Sequence, residues 1–519
     1  MIRPIRFLIL ILLTGAVLSP LPAQGCTGQG NATLFFPVGT LGGAWTPALA
    51  ASPGAVFNWY VDVAPGTFTF PAGTVCLGLT PQLLTLWDGL AGAPAMPGNG
   101  MLSLALQLPL TPALLGVTLY SQFITIDPLA PNGLGISNPQ SLQLALTDFS
   151  LPTATPLASF GTSLHRAVPL QDDRYTLIIG GGSGTLIGPT PSANTEIYDH
   201  FTRTFLVGPV MNIPRVLHTA TRLGDGRVLV TGGLDSTTGN VASAEIYDPV
   251  SNTWTMTVNN MRNVRAAHAA TLLADGRVLI TGGNGVFATA ANGSFTPVFQ
   301  SGFDTTDIFD PTTNSFINGP QMIEKRIGHS AVLLPDLRVL VAGGITDASP
   351  ILPIFPAYTV AGEIWNPATN TFTPTGVTPN DRFVGTMDVL PNGDVLFAGG
   401  AAGGLMVSTN TADLWVSASN SWTILPSNMP VDVALAATAR LANGSIAIIG
   451  GGQGSVALNT AVDQVVVYNP STFTFTMRAP LGYATGSHTV SPLPDGSFLV
   501  VGGVDPMGFA STTAHIWTP

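Results

Sequence analysis

The sequence predicts an all-β molecule, a small all-β domain followed by a ring of seven four-stranded sheets. Three observations carry this expectation. Glycine (59) and proline (43) abound across 519 residues while only 9% are charged, a composition poor in helix formers. An apolar run ending in Gly-Gly recurs seven times, at Gly180, Gly232, Gly282, Gly343, Gly399, Gly450 and Gly502, at intervals of 50 to 61 residues. Each copy also brings the same turn before the glycines and an aromatic after them, and a period of this length marks a repeated sheet.

Taken in order, the chain opens with Arg3 and Arg6, an apolar stretch Phe7–Leu18 and the small-residue end PAQG. An apolar core this short cannot span ~30 Å of hydrocarbon as a helix. A basic start, a short apolar core and small residues describe a secretory signal peptide over residues 1–25. The mature protein is expected to be secreted, as an extracellular, periplasmic or cell-surface monomer. No second apolar run reaches membrane length, so it is not expected to be an integral membrane protein. In an oxidising compartment Cys26 and Cys76 are expected to form a disulfide. Lipidation of Cys26 is the alternative, although "AQGC" lacks a leucine three positions before the cysteine. A net charge of −11 leaves no basic face for nucleic-acid phosphates.

Residues 26–145 carry none of the period. Segments such as FNWYVDVAPGTFTF and GMLSLALQLPL alternate between Pro-Gly-Ala turns, which predicts a separate, sandwich-like all-β domain. Its end, LLGVTLYSQFITIDPLAPNGLGISNPQSLQLAL, resembles a domain of secreted proteins from planctomycete-type bacteria. That resemblance brings no known activity, and an accessory or attachment module is the expectation.

From residue 146 the repeats take over. Before each glycine pair stand a turn and a strand, as in GDGRVLVT and ADGRVLIT. Asp-Gly between alternating apolar runs predicts a tight hairpin in which both turn residues take positive φ. After the pair come a variable loop and a third strand with a fixed aromatic: Tyr198, Tyr247, Phe309, Trp365, Trp415, Tyr468 and Trp517. In six copies a second aromatic follows seven residues later, at Phe205, Trp254, Phe316, Phe372, Trp422 and Phe475. Each copy therefore reads as four antiparallel strands, a to d, and stacking the copies around an axis buries both faces of each sheet. The glycine pair admits close backbone approach, and the aromatics are expected to be core between blades rather than a sugar-stacking platform.

Gly-Gly after strand b, the aromatic on strand c and the aromatic seven residues on resemble the kelch family. The resemblance covers roughly residues 150–519 and implies a seven-bladed kelch-type β-propeller of the galactose oxidase/kelch-type superfamily, with the propeller domain placed at 146–519. The seventh copy lacks its second aromatic, which would fall beyond Pro519. Its fourth strand is expected from residues 145–160, ALTDFSLPTATPLASF, with Phe149 as the nearest candidate for the missing ring.

Propellers of this class include copper-radical oxidases, known for a copper site of two tyrosines, two histidines and a cysteine bonded to one tyrosine. Both cysteines here lie outside the repeats, so no such cross-link, and no metal or other cofactor, is expected. His165, His218, His268, His329 and His488 share one repeat position at the start of strand a. Each belongs to a different blade, and ligands must sit within ~2 Å of one ion, so they read as structural imidazoles. No catalytic set can be singled out.

Three residues before that position stand Arg215, Arg265, Arg326 and Arg382, replaced by Thr162, Val433 and Thr485 in the remaining copies. Strand direction puts the d–a connections on the same face as the b–c loops, whose longest insertions are 284–303 and 345–360. The kelch resemblance implies that such arginines line the channel mouth and contact partners, and guanidinium forks suit carboxylates. The four arginines are accordingly the candidate ligand-binding face. The competing role is to staple blades through carbonyls or carboxylates of the Glu196, Glu245 and Glu363 kind. The expected function is recognition of a protein or carbohydrate without catalysis, and the alternative is an extracellular carbohydrate-active enzyme on the same propeller.

Overall fold

In the computed structural model, residues 161–519 are described except for short stretches at 172–173 and within the b–c loops; before them only the backbone of the strands is described. The leader 1–25 and the Cys26–Cys76 pairing lie outside the described residues. Every regular element described is a β-strand, and the chain divides into units Met1–Thr147 and Asp148–Pro519. The first unit holds a five-stranded antiparallel sheet built on Thr118–Ile126, which pairs with Val56–Asp62, Leu134–Ile136 and Gln140–Gln143. A three-stranded sheet, Thr33–Phe35, Ala48–Ala50 and Met101–Ser103, accompanies it.

The second unit is a closed ring of seven four-stranded antiparallel sheets. Blade 2 shows the plan: strand a is Thr219–Arg222, b Val228–Thr231, c Ala244–Asp248 and d Thr253–Met256. Strand a of the other blades begins at Arg166, Ala269, Ser330, Thr386, Ala437 and Thr489. Each strand a neighbours strand a of the next blade all the way round, so these strands are innermost. Strand b is apolar but for a threonine in blades 1 to 3, and is buried from end to end in six blades, as VLVT is in blade 2, because both of its faces meet other blades.

One apolar cluster fills each of the seven junctions. Between blades 1 and 2, Val168, Leu177 and Ile179 pack on Val228, Val230, Tyr247 and Trp254. Between blades 7 and 1, Leu499, Val501 and Ile516 pack on Ile178, Tyr198 and Phe205. The strand c and strand d aromatics stand directly opposite, Tyr247 against Trp254 with ring centroids 5.2 Å apart. All seven strand c aromatics are buried.

Two details differ from the expectation. In the a–b hairpin only the second turn residue has positive φ, Gly226 at 91° and, in blade 4, Leu337 at 71°. The Asp225 carboxylate accepts from the Arg227 N–H at 3.1 Å, so the turn is capped by its aspartate and closed by one left-handed residue. The fourth strand of blade 7 is Phe149–Pro152, antiparallel to Ala514–Thr518. Its register sets Trp517 opposite Ser150, and Phe149 faces Thr518. The position of the missing aromatic thus belongs to Ser150, one residue from Phe149. A ring on strand b compensates: Phe498 is Trp517's partner across the ladder, with centroids 5.7 Å apart.

Candidate binding face

The d–a connections and b–c loops meet on one face, and the glycine pairs organise it. Both glycines of every pair have positive φ, which L side chains rarely adopt. The second glycine's N–H donates to the next blade's carbonyl at the arginine position, Gly233 to Arg265 at 2.7 Å and Gly503 to Thr162 at 2.8 Å. This bond is made at all seven junctions, so it does not depend on the arginine side chain. The first glycine leaves room for the next blade's histidine. A Cβ on Gly232 would lie 2.8 Å from His268 Cε1, and one on Gly282 2.7 Å from His329 Cε1. Blade 5 has Gly385 in place of histidine, and there the Phe397 ring fills the space beside Gly343.

The five histidines occupy five separate junctions, each reaching back to the preceding blade. His165 Nε2 shares a hydrogen bond with Thr489 Oγ1 at 2.8 Å, and His329 Nε2 one with Thr281 Oγ1 at 2.8 Å. His268 Nε2 meets both Thr231 Oγ1 (2.8 Å) and Thr219 Oγ1 (3.1 Å). Burial holds the imidazoles neutral, His165 and His329 down to about 3 and His488 to about 4, with His218 and His268 well below the usual range.

The four arginines do not reach the surface of this face. Each is 0% exposed, and each guanidinium is spent within its own blade. Arg265 donates to Gly282 O (2.6 Å), Thr305 O (2.9 Å), Thr305 Oγ1 (3.1 Å) and, through Nε and Nη2, to Asp307 (3.2 and 2.7 Å). Arg215 pairs with Glu245 at 3.1 Å, Arg326 with Glu363 at 2.9 Å and Arg382 with Asp413 at 3.0 Å, all between buried side chains. The physical reason is the glycine pair, whose left-handed backbone leaves a carbonyl pointing at the d–a connection. Thr162 and Thr485 bond the same carbonyl with their hydroxyls, to Gly180 O (2.9 Å) and Gly502 O (2.7 Å). Asp307 and Asp413 were not singled out by the sequence reading. Their signal was there, since the residue two before the strand c aromatic is acidic in every blade that carries the arginine.

Each carboxylate also grips the connection ahead of its arginine. Glu245 accepts from the N–H groups of Asn212 (2.7 Å) and Ile213 (3.0 Å), and Glu363 from Ile323 (2.7 Å). Above this buried layer the b–c loops of six blades form second, two-stranded ribbons, such as Leu234–Asp235 with Gly239–Asn240. Of the two longest insertions, most of 285–301 and all of 349–355 lie outside the described residues. Neighbouring ribbons are sewn together: Ala510 N–H to Gly184 O (2.7 Å), Gly302 N–H to Thr346 O (2.7 Å), Tyr358 Oη to Gly403 O (2.9 Å) and Ser408 N–H to Gly454 O (2.8 Å).

A family model described as the Kelch motif matches residues 215–261, from the blade 2 arginine through strand d. The chain carries a kelch-type β-propeller. It is similar to galactose oxidase of Gibberella zeae, 33% identical over 82 residues, a match that spans 15% of this chain and only 12% of that protein. A solved structure titled as a novel fungal alcohol oxidase with catalytic diversity among the AA5 family, in complex with copper, superposes on 70% of this chain and 76% of its own, with a TM-score of 0.53 and 17% identity. That likeness is one of fold. The described residues of this kelch propeller do not fit a copper centre of that kind. Its histidines stand at separate junctions, and among the described residues no three His, Cys, Asp or Glu side chains gather as a metal would need.

Proposed function

We propose that this protein is an exported recognition module, binding a protein or glycan partner through the face of d–a connections and b–c ribbons without chemistry of its own. The observation that carries this reading is the sewn crown of ribbons over a rigid buried layer. On it Met507 and Phe509, in the blade 7 loop, are 77% and 51% exposed, and Phe509 bridges to Thr185 of blade 1. Large apolar side chains held on a rigid frame suit partner recognition. The test is binding of glycan and extracellular-protein panels to wild type and to Met507→Asp/Phe509→Asp. A partner held by wild type is expected to lose at least tenfold in affinity, and equal affinity overturns the reading. The stretch shared with galactose oxidase favours a second reading, a carbohydrate-active enzyme on the same face. Product release from a panel of neutral and acidic glycans incubated with the full chain decides for it.

A further inference from the structure

The junction between blades 1 and 2 departs from the others. At the repeat position after the histidine, Thr219 and Thr489 present hydroxyls that meet the imidazole of the following blade, while blades 3 and 4 have Ala269 and Ser330 there. In blade 1 that position is Arg166, on the innermost strand and partly exposed. The register therefore sets its guanidinium against His218. Arg166 donates one hydrogen bond, from Nη1 to His165 O at 3.2 Å, and has no carboxylate partner among the described residues.

His218 is 0% exposed, and neither Nδ1 nor Nε2 has a partner, a state it shares with His488 between blades 6 and 7; only beside His218 does an arginine stand. The other face of its pocket offers Ile179, where the blades before His268 and His329 have Thr231 and Thr281. The backbone departs as well. The residue before the histidine position is left-handed in all seven blades, Leu164, Leu217 and Val384 among them. At five junctions its N–H donates to its counterpart in the preceding blade, as Leu164 does to Ser487 O (3.2 Å) and Ala267 to Leu217 O (3.1 Å). Leu217 makes no such bond, and neither does Leu435 of blade 6. An unpaired guanidinium, a buried imidazole that must present one N–H because burial keeps it neutral, and a backbone N–H thus share one junction, with no acid to answer them.

We propose that Arg166, set over the buried His218, forms a carboxylate-binding site in the wall of the central channel, taking the acid group of a small acidic sugar. A guanidinium fork with a neighbouring N–H matches a planar oxyanion. This deepens the recognition reading of the same face and rests on it.

The probes are D-glucuronate, acetate and uncharged D-glucose, titrated calorimetrically into the full chain. Wild type is expected to bind glucuronate saturably and acetate more weakly, and to leave glucose unbound. Arg166→Thr restores the hydroxyl of Thr219 and Thr489, so the fold is retained while glucuronate affinity falls at least tenfold; Arg166→Lys loses less. Glucose binding as well as glucuronate, no saturable binding by wild type, or unchanged affinity in a folded Arg166→Thr overturns the proposal. Met507→Asp/Phe509→Asp is expected to keep glucuronate binding. Loss of partner binding there beside unchanged glucuronate affinity in Arg166→Thr sinks the carboxylate site and leaves the crown reading standing.

Discussion

Arg265 has five N–H donors, and the protein accepts all five inside the wall of blade 3. Burial draws its pKa down and the Asp307 carboxylate beside it draws it back up. Such a pair adds little net stability, but either half alone is costly, because the survivor stays buried without its counter-charge. Arg265→Met is therefore expected to destabilise by about 3–5 kcal/mol, and Asp307→Leu by a similar amount. The double variant should cost clearly less than their sum, the coupling expected of groups in one network. Urea denaturation of all four proteins measures this, and additive losses would refute the pairing. The sequence showed that an arginine recurred but not where it pointed. The d–a connection is not a strand, so no period-2 alternation assigns its side chains to a face, and the partner acid lies 42 residues away.

At the scale of the element, the blade was legible because its determinants are local and repeated: an aspartate-capped turn, a buried strand, two glycines, an aromatic. Ring closure was less so. That a segment before blade 1 must supply the last strand follows from counting strands. Its register does not, since residues 153–160 carry no repeat to count from and a one-residue slip exchanges Phe149 for Ser150 opposite Trp517. Without this strand, Ala514–Thr518 becomes an open edge ready to pair with another chain. A chain beginning at residue 145 is expected to unfold cooperatively as a monomer. One beginning at residue 156 should lose several kcal/mol, at ~1 kcal/mol for each ladder bond removed, and self-associate. Chemical denaturation and analytical ultracentrifugation report both effects; equal stability and monomeric behaviour of the two would mean that the strand does not close the ring.

At the scale of the whole molecule, the junction imidazoles act together because all of them are neutral in the folded ring. His165 and His329 stay so down to about 3 and His488 to about 4, with His218 and His268 also held well below the usual range by burial. Unfolded, each binds a proton near pH 6.5. The unfolded chain then holds more protons below that value, so stability is full above about 6.5 and falls as pH drops toward the folded values. Asp388 runs the other way. Burial raises its carboxyl from 3.8 to about 6, so in that interval the folded state keeps a proton the unfolded chain has released, which offsets one histidine. For these five histidines and Asp388 the balance near pH 5 is about four protons, or about 5 kcal/mol of stability lost per pH unit. His515, lowered by burial to about 4, acts in the same direction. His329→Gln removes one titrating group while its amide still faces Thr281 Oγ1. The slope of unfolding free energy between pH 6.5 and 4.5 is expected to fall by about 1.4 kcal/mol per unit in this variant. Urea titrations across that range measure it, and a slope equal to the wild type's would show that His329 is not held neutral by the ring.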